Sequence, residues 1–148
     1  MYSPLNRLVL DTNTVLALWM FRDPALETLR ARVESAGVQL LGRKDALEEL
    51  RRVLAYRRFV LDDALQAQLL ADYQARLLTL TEPIGEAAPL PTCRDADDQK
   101  FLEIARDGAA QALLTRDKAL LRLARHRLVR DRFAILTPEA WQASATPG

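Results

Sequence analysis

"RLVLDTNTVL", Arg7 to Leu16, places three consecutive apolar residues, Leu8 to Leu10, directly before Asp11, with Thr12 and Asn13 ahead of a second apolar run. An unbroken apolar run suits a strand buried on both faces, because a strand with one wet face alternates. A strand over 7–11 is therefore predicted, followed by a helix over about 13–20 carrying Val15, Leu16, Leu18 and Trp19. That reading puts a carboxylate at the carboxyl end of a core strand. A buried charge is costly unless it is paired or holds a metal, so Asp11 needs a partner elsewhere in the chain.

The same pattern recurs outward from this stretch. Pro24 suits the first turn of a helix, and "PALETLRARVESAG" (24–37) ends at Gly37. "VQLL" (38–41) reads as a strand, and "KDALEELRRVLAY" (44–56) as an amphipathic helix with Leu47, Leu50, Val53 and Leu54 on one face. Asp62 is the predicted cap of "DALQAQLLADYQARLL", with Leu65, Leu69, Leu70 and Tyr73 inward. "LLTLTE" (77–82) is a strand, and "PIGEAAPLPTCRDAD" (83–97), with three prolines and a glycine, a long loop. A helix from Gln99 closed by Gly108, a strand over 111–115, a helix over 117–127, a strand over 133–137 and a short helix over 138–143 complete the chain. Apolar strands alternating with helices mean an α/β fold with a parallel sheet covered on both faces. In such sheets ligands bind beyond the carboxyl ends of the strands. Asp11 and Asp117 both fall there.

The 148 residues suit one domain, with a core over about 7–143 and a tail, 144–148, that should fray. At 49% hydrophobic and 28% charged, the composition is that of a globular chain. No apolar run approaches a membrane span and no signal-peptide pattern opens the sequence, so a cytoplasmic protein without membrane contact is expected. With one cysteine, Cys93, and one histidine, His126, neither a disulfide, a thiolate zinc site nor a histidine-based metal site can be assembled. His126 sits in the basic stretch "LARHRLVRDR" and reads as a surface residue. Any chemistry must come from oxygen ligands. The net charge is +1, but arginines cluster at Arg51–Arg52, Arg57–Arg58 and from Arg116 to Arg132, and arginine favours phosphate contacts and base stacking.

The acidic candidates are Asp11, Glu48 and Glu49, the set Asp95, Asp97 and Asp98, and Asp117. Singly, each has a structural use: Asp11 and Asp117 as helix caps, Asp97 and Asp98 at the positive end of the helix from Gln99. Together they gather at one rim of the sheet, where mutual repulsion would raise their pKa values unless a divalent cation neutralises them. Magnesium and manganese take oxygen ligands, usually one or two carboxylates plus water. Of the glutamates, Glu49 lies beside the face fixed by Leu47, Leu50 and Leu54, and Glu48 points further toward solvent.

"LVLDTN", "EEL", "CRDADDQKFLEIA" and "LLTRDKALL", in that order and spacing, resemble the PIN domain, especially the members that are toxin components of toxin–antitoxin pairs. The resemblance runs from about Arg7 to Trp141. It implies a Rossmann-like three-layer sandwich with a five-stranded parallel sheet flanked by helices, and metal-dependent endoribonuclease activity. By position it implies Asp11, Glu49, Asp98 and Asp117 as the catalytic, metal-holding acids, with Asn13, Thr115 and Asp95 in support. Many relatives have glycine before the fourth aspartate; here Arg116 stands there, able either to bind the scissile phosphate or to narrow the pocket. The implied cofactor is Mg²⁺ or Mn²⁺. The implied partners are a single-stranded RNA substrate and a cognate antitoxin protein, with a homodimer also to be considered.

The expected chemistry is hydrolysis of a phosphodiester by metal-activated water, leaving a 5′-phosphate and a 3′-hydroxyl. The rival from another class is a PIN-fold module that binds RNA or protein without significant nuclease activity. A nucleotide-binding or phosphoacceptor domain fits poorly, since no glycine-rich phosphate loop follows any strand.

Overall fold

The computed structural model describes residues 6–35, 37–81 and 86–145. Five strands, β1 (Asn6–Leu10), β2 (Val38–Arg43), β3 (Leu77–Leu80), β4 (Ala112–Leu114) and β5 (Ala134–Leu136), form one sheet in the order β3-β2-β1-β4-β5. Every pairing is parallel. Strand order reverses on either side of β1, so the crevice beyond its carboxyl end is the expected ligand position. Asp11 stands there.

The apolar strand runs feed two cores. On one face Leu8, Leu10, Leu40 and Leu114 pack with residues of α1 (Thr12–Trp19), α2 (Glu27–Glu34), α3 (Lys44–Leu54), α4 (Asp63–Gln74) and α7 (Pro138–Ala145). On the other, Val9, Leu41, Leu113 and Ile135 pack with Phe101, Leu102, Ile104 and Ala105 of α5 (Gln99–Asp107) and with Leu120 of α6 (Lys118–Leu121). Successive strand residues point to opposite faces, and both faces are covered. The three-layer α/β fold follows.

Several local details depart from the sequence reading. The helix expected over 24–37 is a 3-10 turn, Pro24–Leu26, followed by α2, because the Asp23 carboxylate takes the Ala25 N–H and Leu26 turns out of helical geometry. The helix expected over 117–127 is one α-helical stretch, α6, tightening into a 3-10 turn, Arg122–Arg125. His126 ends that turn: its Nδ1 accepts the Leu128 N–H at 3.1 Å, so this histidine shapes the chain rather than merely facing solvent. Gly108 closes α5 with negative φ; its value is space, since a Cβ would lie 2.6 Å from Leu41 Cδ1. The terminal helix reaches Ala145, two residues past the expected end of the core. The expected loop residues 83–85, the strand end at residue 82 and the tail residues 146–148 lie outside the described residues.

Candidate active site

At the carboxyl end of β1, Asp11 is only 6% exposed. Its Oδ1 accepts the Thr14 N–H at 3.0 Å and the Thr14 hydroxyl at 2.6 Å, which caps α1. Its Oδ2 accepts the Thr115 hydroxyl at 2.5 Å. The same Thr115 oxygen accepts the Asp117 N–H at 2.9 Å, so β4 joins the first and fourth acids through one hydroxyl. Burial pushes the Asp11 carboxyl above its ordinary range, against the pull of the Thr115 and Thr14 hydrogen bonds, and Asp117 adds a smaller push in the same direction. Asp11 is thus both a helix cap and a carboxylate fixed in one orientation.

Glu49 projects from α3 toward the same end of the sheet. Its Oε2 accepts the Thr12 hydroxyl, and its Oε1 lies 3.0 Å from the ammonium of Lys100. The Glu48 side chain is 52% exposed and pairs with Arg51 along the outer face of α3, whereas that of Glu49 is 17% exposed. A rotation of about 100° per residue accounts for the contrast. Lys100, whose side chain is 13% exposed, also donates to the Asp97 carbonyl and lies over the Phe101 ring. It is a built-in counter-charge for Glu49.

Asp98 differs from the other acids. Asp95 caps the 3-10 turn Ala96–Asp98 through the Asp97 N–H, and Asp117 caps α6 through the Ala119 and Leu120 N–H groups. Asp98 caps nothing: α5 has no side-chain hydrogen bond at its start, and the half-buried Asp98 carboxylate has no hydrogen-bond partner among the described residues. Burial pushes it up to about 6, and the charges of Asp95, Asp117, Asp11 and Glu49 push in the same direction. Those four acids, from the end of β1, from α3, from the turn before α5 and from the start of α6, are near enough for their charges to be felt at Asp98.

Arg116 turns elsewhere. Its guanidinium is held by Glu139 at 2.6 Å and Asp23 at 3.0 Å, tying the loop after β4 to α7 and to the turn after α1. Asn13 is exposed on the first turn of α1 and its side chain makes no hydrogen bond among the described residues.

A family model for the PIN domain matches residues 7–119, a span that contains Asp11, Glu49, Asp98 and Asp117. The chain belongs to the PIN domain family. PIN domains are generally nucleases and generally use divalent metal ions. The match stops short of Trp141, so β5 and α7 of this PIN domain lie beyond it. No curated protein matches the chain.

The donor set of this PIN domain fits a hard cation, although among the described residues no three acids stand close enough to form a ready-made metal cage. Asp98 offers both oxygens, the hydrogen bonds of Asp117 engage only its Oδ1, and Asp11 is locked in place by two threonines. Magnesium is usually held by one or two carboxylates with water filling the remaining positions, so a closed cage is not required. Three residues that the motifs did not single out support the arrangement. Thr14 orients Asp11, and Lys100 balances Glu49. The buried Arg43 binds Asp45 of α3 and Glu103 of α5, both at 2.8 Å, fixing the helices that bear Glu49 and follow Asp98. An Asp-x-x-Thr spacing after a strand could have flagged Thr14; no sequence signal marks Lys100 or Arg43.

Proposed function

We propose that this PIN domain is a metal-dependent endoribonuclease that hydrolyses single-stranded RNA, with Asp11, Glu49, Asp98 and Asp117 as its catalytic acids. The observation that carries the reading is Asp98: a half-buried carboxylate with no hydrogen-bond partner, raised to about 6 by burial and by Asp95, Asp117, Asp11 and Glu49. Beyond a place at the positive end of α5, such a group supplies no hydrogen bond to the fold, and perturbed carboxylates cluster where function needs them. Asp98 and Asp117 would hold the cation directly, Asp11 would present Oδ2 to it, and Glu49 would orient a water. When bound, Mg²⁺ or Mn²⁺ supplies the Lewis acidity that activates water and offsets charge on the phosphodiester. The threonines keep Asp11 from swinging away, and Arg43 keeps α3 and α5 in register. Thr115 links Asp11 to the backbone of Asp117, so displacement of one acid is felt by the other. A flexible strand can bring its backbone into the crevice beyond the carboxyl end of β1, which favours single-stranded RNA over duplex.

The finer reading is that the chain is the toxin of a toxin–antitoxin pair in the cytoplasm, whose antitoxin covers this acidic rim; the motif resemblance supports it. No helix among the described residues is long and apolar enough to cross a membrane. A binding module without nuclease activity is the second reading, and the Lys100–Glu49 pair favours it, since that pair neutralises one acid without a metal. Incubation with single-stranded RNA separates the two. The nuclease reading requires internal cuts with Mn²⁺ or Mg²⁺, 5′-phosphate and 3′-hydroxyl ends, and no cutting in EDTA. Binding of uncut RNA in every metal supports the module.

A further inference from the structure

Below Asp117, α6 and the 3-10 turn that follows it have two unlike sides. Leu120, Leu121, Leu123 and Ala124 pack into the core on the α5 side of the sheet. Lys118, Arg122 and Arg125 are exposed. None of these three cations has a hydrogen bond or ion pair among the described residues, in contrast to Arg116, Arg43 and Arg51. Arg122 and Arg125 also lie beyond the residues that the family model matches.

The spacing is ordered. Four residues of α-helix separate Lys118 from Arg122, a rise of about 6 Å, and three residues of 3-10 helix separate Arg122 from Arg125, again about 6 Å. The three therefore form an evenly spaced row of positive charge along one side of the segment, with Arg122 turned about 40° from Lys118 and Arg125 in line with Arg122. It starts one residue after Asp117, at the acidic rim, and leads away from it. Successive phosphates of an extended strand can meet such a row, and unpaired arginines present their full fork to phosphate oxygens.

We propose that Lys118, Arg122 and Arg125 form the track that binds the phosphate backbone of the RNA strand on one side of the scissile bond. The inference rests on the reading of the chain as a nuclease of single-stranded RNA. The track offsets the repulsion that the acidic rim exerts on a polyanion, and it gives the bound strand a direction relative to Asp98 and Asp117. No base is read here, so affinity from this row is independent of sequence.

The test is fluorescence anisotropy of a labelled oligouridylate of about 15 nucleotides, in EDTA so that it is not cut, with wild type, the triple variant K118Q/R122Q/R125Q and the control R7Q/R76Q, whose arginines lie at the amino ends of β1 and β3, the opposite end of the sheet from Asp98. The triple variant should bind about 10-fold more weakly, and its log affinity should fall with log salt by about 2 units less than wild type, as expected for three lost phosphate contacts on a single strand. The control should bind as wild type does. In Mn²⁺, at RNA concentrations well below saturation, the triple variant should cut the long oligomer about 10-fold more slowly but cut a dinucleotide, too short to extend past Lys118, at nearly the wild-type rate. Its melting temperature should not move, because no hydrogen bond is removed. Equal affinity and equal salt slope in wild type and triple variant, with RNA still cut, would overturn the track and leave the nuclease reading standing. Failure of wild type to bind or cut RNA at all would overturn both.

Discussion

Replacing Asp98 by asparagine should make the metal-free protein more stable, and by an amount that depends on pH. The Asp98 carboxyl is raised from 3.8 to about 6, chiefly by burial and then by Asp95, Asp117, Asp11 and Glu49. Below about pH 4 the folded and unfolded chains both carry the proton, and the group contributes nothing. Between the unfolded value, 3.8, and the folded value, about 6, the unfolded chain releases its proton first, so stability falls as pH rises. Above about 6 the full penalty is present. Taken at face value the shift corresponds to about 3 kcal/mol. The group is only half-buried, and solvent screening reduces this to about 1 kcal/mol, or a few degrees in Tm for a chain of this size. Asparagine is nearly isosteric and sacrifices no cap, since the Asp98 side chain caps nothing. Thermal melts in EDTA should therefore show Asp98→Asn melting a few degrees above wild type at pH 7.5, with the two converging toward pH 4. Added Mn²⁺ should raise the wild-type Tm and leave that of the variant nearly unchanged. A variant that melts below wild type at pH 7.5, or whose advantage persists undiminished at pH 4, would show that the Asp98 charge does not destabilise the fold.

Glu49→Gln should remove most of the cleavage activity in single-turnover assays, whereas Glu48→Gln, whose side chain faces solvent beside Arg51, should stay within a few-fold of wild type. Thr115→Val removes the hydroxyl that donates to Asp11 and accepts from the Asp117 N–H, and should cost about 1–3 kcal/mol by urea denaturation. Lys100→Met leaves Glu49 without its counter-charge, so it should lower stability in EDTA while tightening Mn²⁺ binding several-fold by calorimetry; weaker Mn²⁺ binding would show that Lys100 does not compete with the cation.

The fold was legible in the sequence wherever burial was complete. "LVL" before Asp11 and "ALL" within 111–115 are apolar on both faces of the sheet, "VQLL" departs from this only at the half-buried Gln39, and no other element accommodates such runs so well. The α3 periodicity also separated Glu49 from Glu48, because a helix with a clear apolar face fixes the direction of every neighbour. Helix continuity was less legible. In "DKALLRLARHR" the apolar spacing fits a helix, but the tightening at Arg122 and the stop at His126 come from tertiary packing and a side-chain hydrogen bond. The acids at the rim could be gathered by strand and helix ends, yet their separate duties could not. Whether a carboxylate caps a helix depends on its own rotamer, and only coordinates distinguish Asp117, which caps α6, from Asp98, which caps nothing. Arg116 shows the same limit, since Asp23 and Glu139 reach it from distant parts of the chain.

If the rim around Asp98 is a metal-dependent centre for cutting RNA, the cation and the Asp98 carboxylate must act together. The most direct test is the rate at which wild type and Asp98→Asn cut one labelled single-stranded RNA across a Mn²⁺ titration. The wild-type rate should rise with Mn²⁺ and saturate, and the variant should stay at the metal-free rate throughout. A variant that cuts with the wild-type Mn²⁺ dependence would contradict that joint action.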